Sequence, residues 1–448
     1  MRLRSILWNI YIAVSSRMRL CILFVLYALF SCALILIYVH QLAPANVLNG
    51  WRPWAMQVEG WAALVIGWFA SYYCLSRISG QPSDFLRLFI CAIPLTSFLL
   101  LNSVAGKLPS GAVLTNLCIL IFPLLLLDAM GRLNWWPVRL PSMANSLPAE
   151  YVALVLLSVV VFVAYLHAPE NAGFGMNDTH VRRFEGRELY PARSTLAYAL
   201  SMSMNGLVPF LAYRATERSK SVLLVFALGA SVFFYWLIGV KAPFAYAIAA
   251  CAMGLMIRSG KLKYMGHFFL LAVVVAALIV VGEWLFVSKY SYVADYFFRR
   301  LFPIQALDQS YYLKFLFSDK PVDWSWFLGS SDPSFQPSYY IGEHFGGSAQ
   351  SNSNTNAFLA SLMLGGIWGY VIAVAFVSLV LCVYDRLWKA SQNPAYLFLG
   401  YMYSALLIEQ AYSVAMISSG IMLLTLLVMF EKPRVAKKSE AVPMEMKV

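Results

Sequence analysis

Apolar runs of roughly twenty residues follow one another along the chain and are mostly separated by short polar connections. A bilayer offers no water to exposed amides, so each run is predicted to be a helix that satisfies its own backbone. The pattern predicts an all-α, polytopic integral membrane protein that forms a single polytopic membrane domain over residues 1–448. About twelve transmembrane helices are expected, at residues 20–39, 58–76, 86–104, 111–128, 149–167, 192–213, 221–239, 242–257, 267–286, 357–383, 395–411 and 413–430.

The ends and connections on the two sides of these spans differ in their content of lysine and arginine. An even number of spans puts both termini on one side, which carries 21 Lys and Arg residues, whereas the other side carries 12. Because cytoplasmic connections are enriched in these residues, the termini are predicted to be cytoplasmic and the protein to lie in a bacterial inner membrane. The parts outside the spans are then an outer Arg-rich loop at 168–191, a large outer (periplasmic) loop at 287–356 and a cytoplasmic tail at 431–448.

Composition and charge narrow the classes of function. Hydrophobic residues make up 61% of the chain, and the net charge is +12. In a membrane protein basic residues set topology and meet anionic headgroups, so membrane lipids are expected as partners and nucleic acid is not. All seven cysteines lie in apolar runs, which gives neither a disulfide framework nor the spacing of zinc ligands.

The stretch HVRRFEGREL, residues 180–189, concentrates charge on the predicted outer side. Arginines there oppose the positive-inside bias, which favours an anionic ligand, and a guanidinium binds phosphate or diphosphate oxygens through a planar fork. The alternative is internal pairing with Glu185, Glu188 and Asp178. The basic residues of the outer side that are predicted to bind diphosphate are Arg182, Arg183, Arg187, Arg193, Lys241, Arg299 and Arg300.

The large outer loop is long enough to be functional, at about seventy residues. Its segments YSYVADYFFRRLF and SYYLKFLF predict short amphipathic helices on or in the membrane interface, which would form an ordered lid. Aromatic rings and amides suit polyhydroxylated ligands, although the same residues also form interfacial belts. The residues of this loop that are predicted to bind substrate are Tyr311, Asn354 and Asn356.

A lipid-linked diphosphate that carries a sugar fits these parts, because arginine and lysine stabilise a leaving diphosphate without a metal. No metal-ligand spacing is present, so no metal and no cofactor are expected. The reaction then needs only an acceptor hydroxyl and a base. The candidate bases, which the sequence does not rank, are His180, Glu283, His344 and Glu409, together with Glu343 and Asp308.

Three segments resemble parts of the Wzy family of oligosaccharide repeat-unit (O-antigen) polymerases, which are distantly related to the O-antigen ligases. FYWLIGVKAPFAYAIAA is similar to an apolar run whose last turn carries an arginine and opens the next helix. SNSNTNAFLASLMLGGIWG is similar to the Asn-rich helix entry that follows the large outer loop. RRFEGRELYPARSTLAYAL resembles an arginine-bearing outer loop that runs into a span.

The resemblance implies a membrane glycosyltransferase of the GT-C-like helical type that uses no nucleotide sugar. It implies transfer of a growing glycan from undecaprenyl diphosphate to a lipid-linked repeat unit at the periplasmic face, in O-antigen or related lipopolysaccharide and surface polysaccharide synthesis. The implied partners are undecaprenyl-diphosphate-linked oligosaccharide, a chain-length regulator and a flippase. Lys241 would contact diphosphate where the family usually has arginine; lysine keeps the charge but loses the fork.

One further departure from the family pattern, and several alternative functions, bear on this interpretation. The ligases carry a histidine in the segment that corresponds to residues 353–356 of this chain, which are Ser, Asn, Thr and Asn. The lack of this histidine favours a polymerase over a ligase and leaves the base unassigned. The alternatives are an O-antigen ligase-like transferase and a lipid-linked oligosaccharide flippase or transporter. A non-catalytic binding protein ranks last among them. Transporters place ionisable residues near the bilayer midplane and often have repeated halves, whereas here the charges gather at the outer ends.

Overall fold

The structure is a computed structural model of the chain, which describes residues 2–56, 58–132, 148–175, 179–191, 194–287, 290–318, 337–347 and 352–431. Throughout these ranges the regular structure is helical and contains no strand, so the predicted all-α class is confirmed. The side chains of residues 2–16 and 180 are not among those described.

The α-helices of the described residues are α1 (Arg2–Ile37), α2 (Ala43–Ala45), α3 (Val58–Ser76), α4 (Asp84–Ile90), α5 (Thr96–Leu101), α6 (Ala112–Arg132), α7 (Ala149–Leu166), α8 (Thr179–Leu189), α9 (Thr195–Met202), α10 (Val208–Glu217), α11 (Ser221–Ile238), α12 (Ala242–Arg258), α13 (Met265–Val287), α14 (Arg299–Leu301), α15 (Pro303–Leu316), α16 (Pro337–Gly346), α17 (Ala357–Ser391), α18 (Ala395–Leu406), α19 (Tyr412–Met416) and α20 (Ile421–Met429). Five-residue π-helical turns at Tyr38–Leu42, Cys91–Leu95, Ser203–Leu207 and Ala294–Phe298 join or precede some of them, and short 3₁₀ turns lie at Val47–Asn49 and Leu262–Tyr264.

Nine helical segments of the described residues are long and apolar enough to cross a membrane. Their outer faces carry large apolar side chains, such as Ile66, Phe162 and Leu278, which are exposed. Water-soluble proteins rarely expose apolar surface on this scale, whereas lipid tails accept it. The chain is therefore a multi-pass membrane protein. The nine segments are Arg17–Ala45, Val58–Ser76, Asp84–Leu101, Ala112–Arg132, Ala149–Leu166, Thr195–Glu217, Ser221–Ile238, Leu262–Val287 and Ala357–Ser391.

The other three predicted spans are helical but short. Helix α12 has 17 residues and α18 has 12, and 17 residues of α-helix measure only about 26 Å against a hydrocarbon core of about 30 Å. The predicted span 413–430 is divided between α19 and α20, and Gly420 precedes α20 with φ 81°. The number of twelve spans therefore stays a prediction.

The chain divides into two compact units, of which unit 1 comprises Met1–Leu133, Gly260–Val380 and Ser404–Tyr412. Its centre is the segment α4–α5, which is almost entirely buried. The π-helical turn inside this segment contains Pro94, whose carbonyl oxygen accepts a hydrogen bond from Nε2 of Gln309 at 3.1 Å. Oε1 of Gln309 accepts a second bond from Nδ2 of Asn116 at 2.9 Å. Helix α15 of the predicted outer loop thus packs into unit 1.

Unit 2 comprises Asn134–Ser259, Leu381–Tyr403 and Ser413–Val448. Helix α10 is buried within it, and its fully buried Arg214 forms ion pairs with Glu217, at 3.3 Å, and with Glu431. Arg218 pairs with Glu431 at 2.5 Å and with Glu150 of α7. We call Arg214, Arg218, Glu150, Glu217 and Glu431 the ion-pair network; a charge buried in this way is tolerated because it is matched.

Candidate functional site

Helix α8 carries the arginines of HVRRFEGREL and packs against the C-terminal end of α11 in unit 2. Glycine permits the close approach, because a Cβ on Gly186 would lie 2.8 Å from Cγ2 of Ile238. Helix α11 ends at Gly239, which has φ 66°, a left-handed conformation that glycine adopts without strain. A Cβ there would lie 3.1 Å from the carbonyl oxygen of Thr179, so two glycines bring α8 onto α11.

Arg182, predicted to contact diphosphate, is buried, with 1% of its surface exposed. Its Nη1 donates to the carbonyl oxygens of Tyr235 and Trp236, both at 3.3 Å, and its Nη2 donates to that of Gly175 at 2.5 Å. The last carbonyls of a helix lack partners within the helix, and Arg182 supplies them for α11. Both Nη atoms of Arg182 thus serve the fold, and its predicted contact with diphosphate stays a prediction.

Arg183 and Arg187 lie one turn apart on α8 and line a cavity of about 440 Å³. Nη2 of Arg183 donates to the carbonyl oxygen of Gly239 at 3.2 Å, whereas its Nε is enclosed and has no hydrogen-bond partner among the described residues. Within the described part of the chain, no acidic residue lines this cavity. The rest of its wall consists of Gly186, Tyr190, Ala197, Leu200, Met204, Ile238 and Val240.

The electrostatics of this arginine cavity favour an anion. Burial lowers the pKa of Arg183, and the positive charge of Arg187 lowers it further. Two cations one helical turn apart repel each other, and an anion bound beside them removes this cost. Phosphate oxygens also accept the enclosed Nε–H of Arg183 in the charge-assisted geometry that guanidinium groups favour.

The alternative of internal pairing with acids does not account for Arg182 and Arg183. Both donate to backbone carbonyls, and Glu185 instead accepts a hydrogen bond from Nδ2 of Asn171. Glu188 is exposed on α8, and the third predicted acid, Asp178, lies outside the described residues. Arg182 and Arg183 are therefore held by backbone carbonyls rather than by these acids.

Two further predicted cations follow α8 in the chain. Lys241 is exposed at the N-cap position of α12, and it directly follows Val240, which lines the cavity. Arg193 lies outside the described residues. Arg183 and Arg187 are therefore the predicted residues that the structure brings together in unit 2, and Lys241 adjoins the cavity wall along the chain.

A second polar group lies in unit 1, and it centres on two carboxyl groups. Asp308 on α15 is 7% exposed and accepts a hydrogen bond from the hydroxyl of Ser353. Glu409, predicted to lie inside a span, is in the turn that follows the end of α18, where it is half-buried and interacts electrostatically with Asp308. The backbone N–H of Ala357, at the start of α17, donates to the carbonyl oxygen of Leu407 at 2.8 Å and joins α17 to the turn that holds Glu409. We call Asp308 and Glu409 the carboxyl pair.

Burial affects the two members of the carboxyl pair unequally. It raises the pKa of Asp308 well above the ordinary value, against the hydrogen bond from Ser353, and the charge of Glu409 raises it further. Burial also raises the pKa of Glu409, whereas the positive charge of Arg300 lowers it. Burial and the charge of Glu409 therefore both disfavour the ionised form of Asp308, whereas Arg300 favours the ionised form of Glu409.

Polar atoms without described partners lie on α15 and on the residues that precede α17. Among the described residues, no group hydrogen-bonds to Oε1 of Gln305, Oγ1 of Thr355 or Nδ2 of Asn356, all of which are buried. The other amide atom of Asn356, Oδ1, accepts from the backbone N–H of Leu359 at 3.0 Å and caps α17. A buried polar atom without a partner costs about 1–3 kcal/mol, and water or a hydroxylated ligand relieves this cost.

The predicted residues of α14 and α15 lie in the same unit. Arg299 forms an ion pair with Asp295 at 2.5 Å, whereas Arg300 is exposed and acts on Glu409. The ring of Tyr311 lies 6.2 Å from that of Phe345, centroid to centroid, which packs α16 onto α15. The structure therefore assigns Arg299 a partner within its own helical turn and leaves Arg300 beside the carboxyl pair.

The remaining predicted residues are dispersed. Glu283 is half-buried on α13, with Oε2 enclosed and without a described partner. His344 is exposed near the end of α16, where its ring stacks on Tyr340 at 4.9 Å. Asn354 is exposed, and the side chain of His180 lies outside those described.

Sequence reasoning missed Gly186, Tyr190 and Ser353. A glycine inside a helix costs about 1 kcal/mol relative to alanine, so Gly186 in the middle of α8 signalled a close approach of another element. Tyr190 lines the arginine cavity, and its hydroxyl donates to the carbonyl oxygen of His167 at 2.7 Å. No local pattern marks Ser353, because its partner Asp308 is distant in sequence.

In the described part of the chain, no group of three or more His, Cys, Asp or Glu side chains is placed to hold a metal ion. Comparison of the chain with models of protein families, with curated proteins and with solved structures gives no match.

Proposed function

We propose that this protein is a lipid-linked oligosaccharide polymerase of the inner membrane. It transfers a growing glycan from undecaprenyl diphosphate to a lipid-linked repeat unit at the periplasmic face, in the synthesis of O-antigen or a related surface polysaccharide. It acts as a metal-independent glycosyltransferase, alongside a chain-length regulator and a flippase.

The observation that carries the proposal is the arginine cavity. Arg183 and Arg187 line it together without a neighbouring acid among the described lining residues, and Arg183 keeps an enclosed N–H without a described partner. A cavity of this charge suits a phosphate or diphosphate group. The apolar remainder of the wall suits a ligand that is also a lipid.

The same arginines suit the chemistry of glycan transfer. When the bond between the sugar and diphosphate breaks, negative charge develops on the departing diphosphate. Fixed guanidinium groups stabilise that charge more in the transition state than in the ground state, which lowers the barrier.

The position of the cavity supports a transferase over a transporter. Its arginines lie at the C-terminal end of α11, whereas transporters place their substrate-binding charges near the middle of the membrane. The buried charges of α10, Arg214 above all, are matched by the acids of the ion-pair network. These charges are therefore neutralised within the protein, and no transported ion is needed to neutralise them.

The test is complementation of a strain that lacks the gene, with the surface glycan separated on a gel. Without a polymerase, lipid A-core carries a single repeat unit, whereas without a ligase it carries none. We expect Arg183→Ala and Arg187→Ala each to lower chain growth by about 100-fold or more, the usual effect of removing a group that stabilises transition-state charge. Arg187→Lys keeps the charge and should retain part of the activity.

The matched control is Glu188→Ala, on the same helix and exposed, which should restore the full ladder. Each variant's amount in the membrane is measured by immunoblot. A wild-type ladder in the deletion strain would refute the proposed function, and full ladders from both arginine variants would refute the role of the cavity.

A further inference from the structure

We propose that unit 1 binds the phosphate group of an anionic phospholipid at its predicted outer end, through Arg52, Lys107 and Lys314. We call these three residues the outer cation cluster. All three lie in unit 1, in connections that the hydropathy pattern places on the outer side of the membrane. The inference goes beyond the proposed function and does not depend on it, because these cations belong to neither the arginine cavity nor the carboxyl pair.

The first support is a fixed backbone beneath Arg52. Its N–H donates to the carbonyl oxygen of Val104, which follows α5, at 3.1 Å. Its carbonyl oxygen accepts from the hydroxyl of Tyr38 at 2.5 Å. Two residues on, Nε1 of Trp54 donates to the carbonyl oxygen of Leu100 at 2.9 Å. A site whose backbone is held before the ligand arrives loses less conformational entropy when the ligand binds.

The second support is that distant parts of the chain bring cations to one turn. Nζ of Lys314, on α15, donates to the carbonyl oxygen of Ala105 at 2.6 Å. The side chain of Arg52 passes over the next residue of this turn, since a Cβ on Gly106 would lie 3.8 Å from Cγ of Arg52. Lys107 follows directly and is exposed. The turn between α5 and α6 therefore gathers the outer cation cluster.

The third support is the unbalanced charge of the cluster. The ion pairs among the described residues include none of its three members. An acid of the same side, Glu59 on α3, instead accepts a hydrogen bond from the backbone N–H of Gly111 at 3.1 Å, at the start of α6. Burial lowers the pKa of Lys314, and the positive charge of Arg52 lowers it further. An anion bound beside the two cations relieves their repulsion.

The surface around the cluster favours a lipid over a soluble anion. Leu48 is fully exposed and Val58 is 89% exposed, and the two flank Arg52 in the sequence. The exposed ring of Trp61 meets that of Trp54 edge-on, with centroids 6.0 Å apart. Tryptophan favours the level of the headgroups in a bilayer, and cations beside exposed apolar side chains bind membranes with anionic headgroups.

A bound headgroup connects three parts of unit 1. Arg52 lies in the connection before α3, Lys107 lies between α5 and α6, and Lys314 lies on α15. Phosphate oxygens accept from guanidinium and ammonium groups at the same time. A lipid that binds only the folded protein stabilises it, so occupancy of this site should also raise the melting temperature.

The experiment uses the purified full-length protein in a neutral detergent, titrated with phosphatidylglycerol, and native mass spectrometry counts the bound lipid. Arg52→Gln and Lys314→Gln should each weaken binding about tenfold, within the range of one charge-assisted hydrogen bond. Arg52→Lys keeps the charge and should weaken binding less. The matched control is Lys261→Gln, which removes an exposed cation from the predicted opposite side of unit 1 and should bind as the wild type does.

Two further measurements separate the site from other effects. The titrations are repeated with Arg183→Ala and Arg187→Ala combined, which removes the cations of the arginine cavity, so lipid bound there is not counted. Thermal unfolding without lipid shows whether each variant is folded. With phosphatidylglycerol, the melting temperature of the wild type should rise more than that of Arg52→Gln.

Equal affinity of the wild type and the folded variants Arg52→Gln and Lys314→Gln overturns the inference. Equal binding of phosphatidylcholine, whose headgroup has no net charge, and an equal loss in Lys261→Gln do so as well. If inorganic phosphate displaces the lipid at similar concentrations, the cluster is instead a site for a soluble anion. If polyglutamate binds and phosphatidylglycerol does not, it is a docking surface for an acidic protein, and either result also overturns the inference.

Discussion

Arg182 and Arg183 are neighbours in the chain but have different surroundings. Arg182 is buried against the end of α11, with its guanidinium on three backbone carbonyls, whereas Arg183 faces the arginine cavity. Consecutive residues of a helix point about 100° apart, so one arginine supports the helix contact and the next is available to a ligand. Residue type alone does not distinguish them.

Replacement of Arg182 separates these two roles. Arg182→Ala leaves the carbonyls of Tyr235, Trp236 and Gly175 without this donor, and we expect it to lower the free energy of unfolding by about 3 kcal/mol. Arg182→Lys keeps a charge but has no fork, so it should recover only part of the loss. Thermal or denaturant unfolding in detergent measures both variants. A fully stable Arg182→Ala protein that makes no glycan chains would instead make Arg182 a ligand contact.

The residue types of the site could be predicted from the sequence, but their grouping could not. The position of the arginines against the positive-inside bias predicted an anion site, and Arg183 and Arg187 do line one cavity. Asp308 and Glu409 come from segments that are far apart in the sequence, yet they interact in the fold. Such long-range contacts leave no periodic pattern in a single sequence.

At the scale of the elements, the arginine cavity depends on how closely α8 approaches α11. A Cβ on Gly186 would lie 2.8 Å from Cγ2 of Ile238 and 3.4 Å from its Cβ. These atoms belong to a branched side chain with few rotamers, so it cannot simply move aside. The spacing of the two helices, and with it the shape of the cavity, is therefore set by one glycine.

We expect Gly186→Ala to separate α8 from α11, to cost about 1–3 kcal/mol of stability and to reduce chain growth. Ile238→Ala removes the colliding methyl group, so the double variant Gly186→Ala with Ile238→Ala should be more stable than the sum of the two single effects predicts. Unfolding in detergent and the surface-glycan gel provide the two readouts. Additive effects of the two substitutions would show that the two residues do not set the helix spacing together.

Helix boundaries could be predicted better than helix interruptions. The prediction of a continuous span at 357–383 missed the break in α17, where Gly365 has φ −122° and Gly366 has φ 57° and ψ −156°. The second conformation is one that only glycine adopts readily. Glycine is frequent in transmembrane helices, so its presence in the sequence does not reveal where a helix is broken.

At the scale of the whole molecule, hydropathy predicted the class of protein and most of its spans. Each of the twelve predicted segments is wholly or partly helical in the described residues, and nine helical segments have the length and composition of a span. The aromatic-rich sequence of α15 also predicted a helix on or in the membrane interface, because aromatic residues suit such an interface as well as a protein interior. Buried Gln309 and Ser310 show that this helix belongs to the core of unit 1.

Unit 2 contains an anchor at the end of the described chain. Glu431 forms ion pairs with Arg214 and Arg218, although it follows α10 by about two hundred residues in the sequence. Arg214 is fully buried, and a buried cation that loses its partner keeps the cost of leaving water without the compensating attraction. The last described residue thus ties α10 to the helices at the end of the chain within unit 2.

Loss of this anchor should destabilise the protein more than loss of the tail beyond it. We expect Glu431→Ala in the full-length chain to lower the free energy of unfolding by about 3–5 kcal/mol. A chain that stops after Glu431 retains the partner of Arg214 and should unfold like the wild type. Glu431→Gln keeps hydrogen-bond acceptance but not the charge, so its stability should be intermediate. If the truncated chain is as unstable as Glu431→Ala, the stabilising contact lies in residues 432–448 and the ion-pair network is not the anchor.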